Sequence, residues 1–327
     1  MRLAPSVAAT RVAVRHALLG VRPPSGLLVA CSGGADSLAL AAATAFVAPR
    51  LGLTAGLISV DHGLQDGSAE RAKQVAEWGT AVGLSPSVAV GITVRHGAGP
   101  EADARAARYA ALVDAARSAG AGIVLLGQTR DDQAETVLLA LARGAGPRGL
   151  SGMPVRRNYD GVELVRPFLG LPRAQTRDAC AAQRLSPWDD PHNADPAYAR
   201  SRVRAALPSL VEALGPDVVA NLARTARLLA ADTELLDELA SQAAIPLIDA
   251  DGTLDAVRLA ELPAALRTRV LRDYALSAGA QAAALATVHI DALDALVTAW
   301  RGQGPVALPG GLQVARVANR LVRTSNW

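Results

Sequence analysis

Short apolar runs alternate with segments of helical period through the first half of the chain, and this alternation constrains the fold more than any other feature. A run of a few apolar residues fits a buried strand, and the longer periodic segment after it fits a helix that covers the strand. Repeats of this kind favour parallel strands joined by right-handed crossovers. We therefore predict an α/β fold with a doubly wound, mostly parallel sheet. The predicted strands are Leu27–Cys31, Thr54–Val60, Val88–Val94 and Ile123–Gly127, and the predicted helices are Ser37–Val47, Ser68–Val82, Glu101–Ala119 and Asp132–Ala142.

The second half of the chain has a different pattern, which predicts a second domain. Glycine and proline punctuate the middle, where we expect a short strand near Val162–Val165 and a helix over Pro172–Gln183. After Gly215 apolar residues recur at helical spacing, and short strands are expected within Pro305–Arg323. A length of 327 residues has room for about two domains. We predict a sheet domain of residues 1–215 and a smaller, mainly helical C-terminal domain of residues 216–327.

Composition excludes several classes of protein. The longest apolar runs, such as Ser37–Val47, are far shorter than the roughly 20 residues of a membrane-spanning helix. Cys31 and Cys180 are the only cysteines, and their separation predicts neither a disulfide framework nor a zinc site. We therefore expect a globular protein of the reducing cytoplasm, with no membrane span.

Arginine carries almost all of the positive charge, because Lys73 is the only lysine. The formal net charge is only +3, which is a weak argument for a polyanionic partner. Between Arg143 and Arg227, however, 13 arginines stand against 8 acids, a local excess of 5. This distribution indicates that the middle of the chain faces phosphate groups, although a solvated arginine-rich surface is the plainer alternative.

The segment between the first predicted strand and its helix carries the strongest chemical signal. It consists of Ser32, Gly33, Gly34, Ala35, Asp36 and Ser37. Two adjacent glycines let consecutive amides converge on one anion, and the helix start adds its positive dipole end. A Walker-type loop would need a lysine after its last glycine, and none is present here. A plain glycine turn with Asp36 and Ser37 as helix caps is the alternative.

Asp36 predicts a metal ion beside this loop. A carboxylate next to a bound phosphate repels it unless a cation such as Mg²⁺ lies between the two groups. We therefore assign Asp36 to Mg²⁺.

Polar residues follow two further strands at the same edge of the predicted sheet. Asp61 and His62 end the second strand, although a lone loop histidine is more often a structural residue. Asp132 and Glu135 are three residues apart and share a helix face aimed at the crevice, where they could hold an ammonium group or a metal. An ordinary solvated first turn of a helix is the alternative for this pair.

The string Ser32–Ser37 resembles the PP-loop of the N-type ATP pyrophosphatases, a superfamily with an adenine nucleotide α-hydrolase-like fold whose members cleave ATP between the α and β phosphates. Further motifs resemble one branch of it, the tRNA(Ile)-lysidine synthases, over roughly Leu27–Pro208. Each motif alone is weak, but their order and spacing are specific. These motifs are Asp61–Leu64, Arg105–Tyr109, Asp131–Thr136, Arg143–Met153, Arg166–Phe168 and Trp188–Arg204.

The resemblance implies an ATP-dependent ligation in two steps. The wobble cytidine of a tRNA(Ile) with a CAU anticodon would first be adenylated at its C2 oxygen, and free L-lysine would then displace AMP. Asp36, Asp132 and Glu135 would be the catalytic residues. The resemblance assigns ATP to Ser32–Ser37 with Asp61 and His62, Mg²⁺ to Asp36, lysine to Asp132 and Glu135, and tRNA to Arg105, Arg108, Arg166, Arg173, Arg200, Arg202 and Arg204. The helices after Gly215 could also support a homodimer.

Two positions depart from the family's pattern. Gln128 stands where many members carry histidine, which puts an imidazole contribution to nucleotide binding in doubt. Arg200–Ser201–Arg202 replaces the usual Arg-Asn-Arg.

Three other functions remain open at this point. A PP-loop tRNA thiolase would need paired catalytic or cluster-binding cysteines, and Cys31 and Cys180 do not form an evident pair in the sequence. A small-molecule amide-forming ligase would have no need of the basic middle segment. A non-catalytic nucleotide-binding module would keep the glycine loop but have little use for Asp132 and Glu135.

Overall fold

The computed structural model describes residues 3–22, 26–61, 63, 67–92, 100–190, 195–282 and 284–324. The chain divides into two compact units, Met1–Ala230 and Ala231–Trp327. The division lies within the long helix Val218–Ala244, later in the chain than the expected boundary at Gly215. Gly215, with a φ of 93°, follows the preceding helix directly, so this glycine marks the end of a helix and not the division between the units.

A six-stranded sheet lies at the centre of the N-terminal unit. Its strands are β1 (Gly26–Ala30), β2 (Thr54–Asp61), β3 (Ser87–Gly91), β4 (Ala121–Leu125), β5 (Arg156–Tyr159) and β6 (Val162–Val165). Their order is β3-β2-β1-β4-β6-β5, and every neighbouring pair is parallel except β5 with β6. The predicted mostly parallel sheet is confirmed. Because the strand order reverses between β1 and β4, a crevice is expected beyond the carboxyl ends of these two strands.

Helices cover both faces of this sheet, because its strands carry buried apolar side chains on both sides. The helices are α1 (Pro5–Leu18), α2 (Ala35–Val47), α3 (Ser68–Ala81), α4 (Pro100–Ser118), α5 (Arg130–Ala142), α6 (Pro147–Leu150), α7 (Arg173–Ala182), α8 (Ala199–Leu214) and α9 (Val218–Ala244). Leu27 and Val29 of β1 are buried with residues of α1, α2 and α7. Leu28, which points to the opposite face, is buried with residues of α4. The doubly wound arrangement predicted from the sequence follows from this alternation.

The C-terminal unit combines short helices with a small antiparallel sheet. Its elements after α9 are β7 (Leu254–Asp255), α10 (Ala256–Ala260), α11 (Ala264–Ser277), α12 (Thr287–Thr298), β8 (Val306–Leu308), β9 (Leu312–Val317) and β10 (Arg320–Thr324), with the strand order β7-β10-β9-β8. Gly310 and Gly311, both at positive φ, turn the chain between β8 and β9. Leu271, Leu293 and Leu321 are fully buried in the core of this unit. The strands expected within Pro305–Arg323 are therefore present.

Every helix in the described part of the chain is too short or too polar to cross a bilayer.

Candidate active site

A cavity of about 330 Å³ lies beyond the carboxyl ends of β1, β2 and β4. The glycine loop after β1 forms one wall, Val60 of β2 contributes to a second, and Gly127 and Gln128 after β4 form a third. This is the position at which ligands bind in doubly wound folds. The remaining lining residues include Asp132 of α5 and five arginines, Arg108, Arg173, Arg177, Arg200 and Arg204.

Hydrogen bonds within the glycine loop hold its shape. Gly33 has a φ of 84°, and Gly34 is the N-cap of α2. The Ser37 hydroxyl donates to the Gly34 carbonyl oxygen at 2.9 Å and accepts from the Ser32 amide at 3.1 Å. The loop therefore presents main-chain groups next to the amino end of α2, where an anion is favoured.

Gly127 lets the end of β4 pack directly against the start of α2. A Cβ atom placed on Gly127 would lie 3.1 Å from the carbonyl carbon of Asp36 and 3.2 Å from its oxygen. Only glycine fits this approach without displacing main-chain atoms. The third wall of the cavity is thus held close to the glycine loop.

Asp36 extends from the first turn of α2 and is held by α7. The Thr176 hydroxyl donates a hydrogen bond to Asp36 Oδ1, and Arg173 Nε lies 3.8 Å from Asp36 Oδ2. Burial raises the pKa of Asp36 to about 6, against the lowering effect of the Thr176 hydrogen bond, and the nearby Asp132 carboxylate raises it further. Its side chain remains 27% exposed, so it can still meet a ligand in the cavity.

Asp132 and Glu135 lie together at the start of α5, but only Asp132 lines the cavity toward which both were predicted to point. The Thr129 amide and hydroxyl donate to Asp132 Oδ2, which leaves Asp132 Oδ1 directed to Arg173 at 2.7 Å. Glu135 is fully buried, and its carboxylate accepts from Arg173 at 3.0 Å and from Arg204 Nε at 2.9 Å. A buried carboxylate paired with two arginines is incompatible with an ordinary solvated helix turn.

Three arginines predicted to bind RNA phosphates are directed into the protein. Arg166 is only 2% exposed, and its guanidinium donates to the Pro154 carbonyl oxygen at 2.9 Å. The Arg173 and Arg204 guanidinium groups pair with the carboxylates of α5. These contacts with protein acceptors argue against phosphate binding by the same donors, and the tRNA assignment of the three arginines stays a prediction.

Of the other four predicted RNA-binding arginines, Arg202 is exposed and the remaining three are half-buried. Arg108 and Arg200 line the cavity. Arg105 donates to the Tyr109 hydroxyl at 3.1 Å, and the exposed Arg202 donates to the carbonyl oxygens of Pro196 and Ala197. These four remain candidates for contact with a polyanion.

Two residues at the end of β2, Asp61 and His62, were predicted to contact ATP, and the structure describes only Asp61. Asp61 Oδ1 accepts from the Gly63 amide at 2.9 Å at the end of β2. His62 lies outside the described residues.

Sequence reasoning missed two residues that shape this site. Thr176 is one helical turn after Arg173 on α7, so helical spacing was the available signal. Trp188 donates its amide to the Gly33 carbonyl oxygen at 2.9 Å, and the Arg71 guanidinium lies 3.4 Å from the Trp188 ring centroid. A chain segment far from the glycine loop in sequence thus braces that loop.

Both cysteines lie near the start of α2. Cys31 Sγ is 3.7 Å from Ser37 Oγ, and Cys180 Sγ donates to the Ala35 carbonyl oxygen at 3.3 Å. Both thiols are buried, and burial raises the pKa of each to about 11. A thiol with so high a pKa is a poor nucleophile at neutral pH.

Two family models match this chain. A PP-loop domain model matches residues 9–210, which include the glycine loop and the whole cavity wall. A TilS substrate binding domain model matches residues 254–322 of the C-terminal unit.

Among solved structures, the U34-tRNA thiolase NcsA from Methanococcus maripaludis with its 4Fe-4S cluster is similar, with a TM-score of 0.57. The identity is 17%, over 69% of this chain and 80% of that one, so the likeness shows a shared fold alone.

Curated relatives match at much higher identity and share one name, tRNA(Ile)-lysidine synthase. The Salinispora tropica protein is 62% identical over 98% of this chain and 96% of its own length. The Thermobifida fusca protein is 53% identical, with 97% of each chain covered. The Streptomyces coelicolor protein is 55% identical over 90% of this chain and 84% of its own length. With the PP-loop model covering more than half of its length and these relatives matching almost end to end, the chain belongs to the tRNA(Ile)-lysidine synthase family.

Proposed function

We propose that the protein is an ATP-dependent ligase that joins free L-lysine to C2 of the wobble cytidine in the CAU anticodon of tRNA(Ile), releasing AMP and pyrophosphate. One observation carries the proposal beyond family membership. Arg173 contacts Asp36 at the glycine loop as well as Asp132 and Glu135 on α5. Asp36, Asp132 and Arg173 therefore line the same cavity, and the fully buried Glu135 is in contact with Arg173.

The first step forms a bond between the cytidine C2 oxygen and the α-phosphorus of ATP, and breaks the bond from that phosphorus to the β-phosphate bridge. Negative charge develops on the departing pyrophosphate. The main-chain amides of the glycine loop and the amino end of α2 would stabilise this charge. They are preorganised for that role by the hydrogen bonds between Ser32, Gly34 and Ser37.

Mg²⁺ fits this site through Asp36. Within the described part of the chain, no three acidic, histidine or cysteine side chains converge to form a complete metal cage. Mg²⁺ does not need one, because it is usually held by one or two carboxylates, water and the phosphates of the substrate. Asp36 lines the cavity and can supply one such carboxylate. Bound there, the ion would neutralise charge on the phosphates.

The second step joins lysine to the base. The ε-amine forms a bond to C2, the bond from C2 to the AMP oxygen breaks, and the amine loses a proton. Free lysine has a side-chain pKa of about 10.4, so a carboxylate site that orients the ammonium must also let it deprotonate. Asp132 and Glu135 would provide this site, with the substrate's ammonium competing against Arg173 and Arg204 for their oxygens.

tRNA would be held by those predicted arginines that are neither fully buried nor paired with the carboxylates of α5. Arg105, Arg108, Arg200 and Arg202 are proposed for this role, together with the C-terminal unit. Binding through phosphates predicts an affinity that falls steeply as salt is added.

Of the alternatives, sulfur transfer is disfavoured by chemistry. A thiolase needs a reactive cysteine, and both thiols here are buried with a raised pKa. An amide-forming ligase and a simple nucleotide-binding module have no evident use for a buried carboxylate paired with two arginines beside the nucleotide loop.

The direct test is incubation of the protein with ATP, labelled lysine and an isoleucine tRNA with a CAU anticodon. Label is expected in the RNA, and none is expected with a methionine tRNA of the same anticodon or without ATP. Label that fails to enter the RNA while ATP is still consumed would support the amide-forming ligase instead. The absence of any ATP turnover would support the binding module.

A further inference from the structure

Three side chains on the wall of the cavity have a buried polar atom without a hydrogen-bond partner among the described residues. They are Arg108 Nε on α4, Gln128 Oε1 in the segment between β4 and α5, and Arg200 Nε on α8. All three residues line the same cavity. Buried polar atoms in folded proteins are nearly always paired, so each exception requires an explanation, and at a cavity wall a ligand can supply the missing partner.

Gln128 Oε1 is an acceptor and therefore needs a donor. A phosphate group offers only acceptors at neutral pH and would not satisfy it. The lysine ammonium is a donor, but the cationic Arg108 and Arg200 stand in the same wall and disfavour another cation there. The pKa of Arg108 is already lowered by burial, with Arg200 adding to the effect. This wall therefore suits a neutral ligand group that donates to Gln128 Oε1 and has acceptors beside it for Arg108 and Arg200.

We propose that Gln128, with Arg108 and Arg200, reads the edge of a nucleobase that carries an exocyclic amine beside a ring nitrogen. The amine donates to Gln128 Oε1, and the ring nitrogen or a neighbouring carbonyl oxygen accepts from an arginine. This inference rests on the proposed function, because that function brings two such bases to the cavity. The wobble cytosine and the adenine of ATP share this edge, whereas uracil and hypoxanthine carry a carbonyl in place of the amine.

The position of Gln128 supports this role. It follows Gly127, whose close approach to Asp36 holds this segment against the glycine loop. It precedes Thr129, which caps α5 and binds Asp132. Gln128 thus lies between a residue packed on the proposed phosphate loop and a residue that binds the proposed lysine site, and it lines the cavity shared by Asp36 and Asp132.

The experiment measures binding of matched ligand pairs to wild-type protein and to Gln128→Leu, which has nearly the same size but no acceptor. One pair is ATP and ITP, and the other is the isoleucine tRNA with CAU and with UAU in the anticodon. The preference for the amine-bearing member of one pair should fall by roughly tenfold in Gln128→Leu. A fall for ATP over ITP identifies adenine as the base, and a fall for CAU over UAU identifies cytosine.

Control variants keep the test decisive. Gln128→Glu keeps an acceptor at the same reach and should retain the preference, and Gln74→Leu makes the same change on the exposed face of α3 and should alter neither pair. Gln128→Asn, which withdraws the acceptor, should resemble Gln128→Leu and replaces it if the leucine variant does not fold. Both preferences unchanged in a folded variant, or lost equally in Gln128→Glu, would overturn the proposal. Failure of wild-type protein to incorporate lysine would instead overturn the proposed function, and the ATP and ITP arm would still report on Gln128.

Discussion

The Arg173 guanidinium lies 3.0 Å from the fully buried Glu135 carboxylate. The same guanidinium contacts Asp132 at 2.7 Å and approaches Asp36 to 3.8 Å. These carboxylates raise the pKa of Arg173 despite its burial, so its charge is retained. Arg173 therefore links Asp36, which is proposed to hold Mg²⁺ beside ATP, to Asp132 and Glu135, which are proposed to bind lysine.

Removal of this guanidinium should destabilise the protein. In Arg173→Met the buried Glu135 keeps only Arg204 as a cationic partner, and an under-compensated buried charge costs about 2–4 kcal/mol of unfolding free energy. Urea unfolding followed by circular dichroism measures this loss. Arg117→Met is the matched control, because Arg117 and its partner Asp160 are 50% and 70% exposed and should contribute far less. Equal losses of unfolding free energy in the two variants would show that the Arg173 cluster stabilises the protein no more than an exposed ion pair does.

The same cluster shows where sequence reasoning succeeds and where it stops. Asp132 and Glu135 could be placed on one face of a helix because their spacing is local. The pairing of Glu135 with Arg204 joins residues 69 apart in the chain, and the Thr176 bond to Asp36 spans 140 residues. Nothing in the sequence periodicity specifies such contacts, so the prediction that Arg166, Arg173 and Arg204 bind RNA did not anticipate their protein partners.

Strand β5 was missed for a different reason. Its residues Arg156–Tyr159 are polar and mostly exposed at the edge of the sheet, so the sequence contains no apolar run there that would predict a strand. The turn that follows β5 does have a sequence signal, because an Asp-Gly pair is typical of tight hairpins. In the structure Asp160 and Gly161 adopt φ values of 52° and 84°. The buried parallel strands β1, β2 and β4 were predicted because burial on both faces makes them continuously apolar.

Asp36→Asn should abolish ligation while leaving the fold intact. The amide can still accept from Thr176 but cannot neutralise a cation beside the phosphates. We expect lysine incorporation to fall by about a hundredfold or more. Asp178→Asn, an exposed change on α7, should have no effect. Retention of activity by Asp36→Asn at saturating Mg²⁺ would remove Asp36 from the mechanism.

The raised pKa of Asp36 also predicts how its contribution to stability depends on pH. The native carboxyl has a pKa of about 6, above its ordinary value of 3.8, so the native state binds the proton more tightly than the unfolded state. Relative to Asp36→Asn, the ligand-free wild-type protein should therefore lose roughly 2 kcal/mol of unfolding free energy as pH rises from 4 to 6. Urea unfolding of both proteins across this range measures the difference. A difference that stays constant, or that grows in favour of wild type as pH rises, would contradict this assignment.

Neither cysteine should take part in the reaction. Because both thiols are buried and their pKa is raised to about 11, the native protein should resist iodoacetamide at neutral pH and react fully only after unfolding. The variant Cys31→Ala, Cys180→Ala should still incorporate lysine. Rapid alkylation of the native protein that also stops incorporation would return sulfur chemistry to consideration.

Thr176 should act by positioning Asp36, and Thr176→Val tests this with little change in shape. Its hydroxyl lowers the pKa of Asp36, so its loss should raise that pKa further above 6 and leave less carboxylate at neutral pH. At limiting Mg²⁺ the rate of lysine incorporation should therefore fall more at pH 6.5 than at pH 8.5, and added Mg²⁺ should recover part of it. Thr44→Val, which removes a buried hydroxyl that bonds only within α2, is the matched control for stability. A uniform loss at both pH values, shared by Thr44→Val, would mean that Thr176 supports the fold without acting on Asp36.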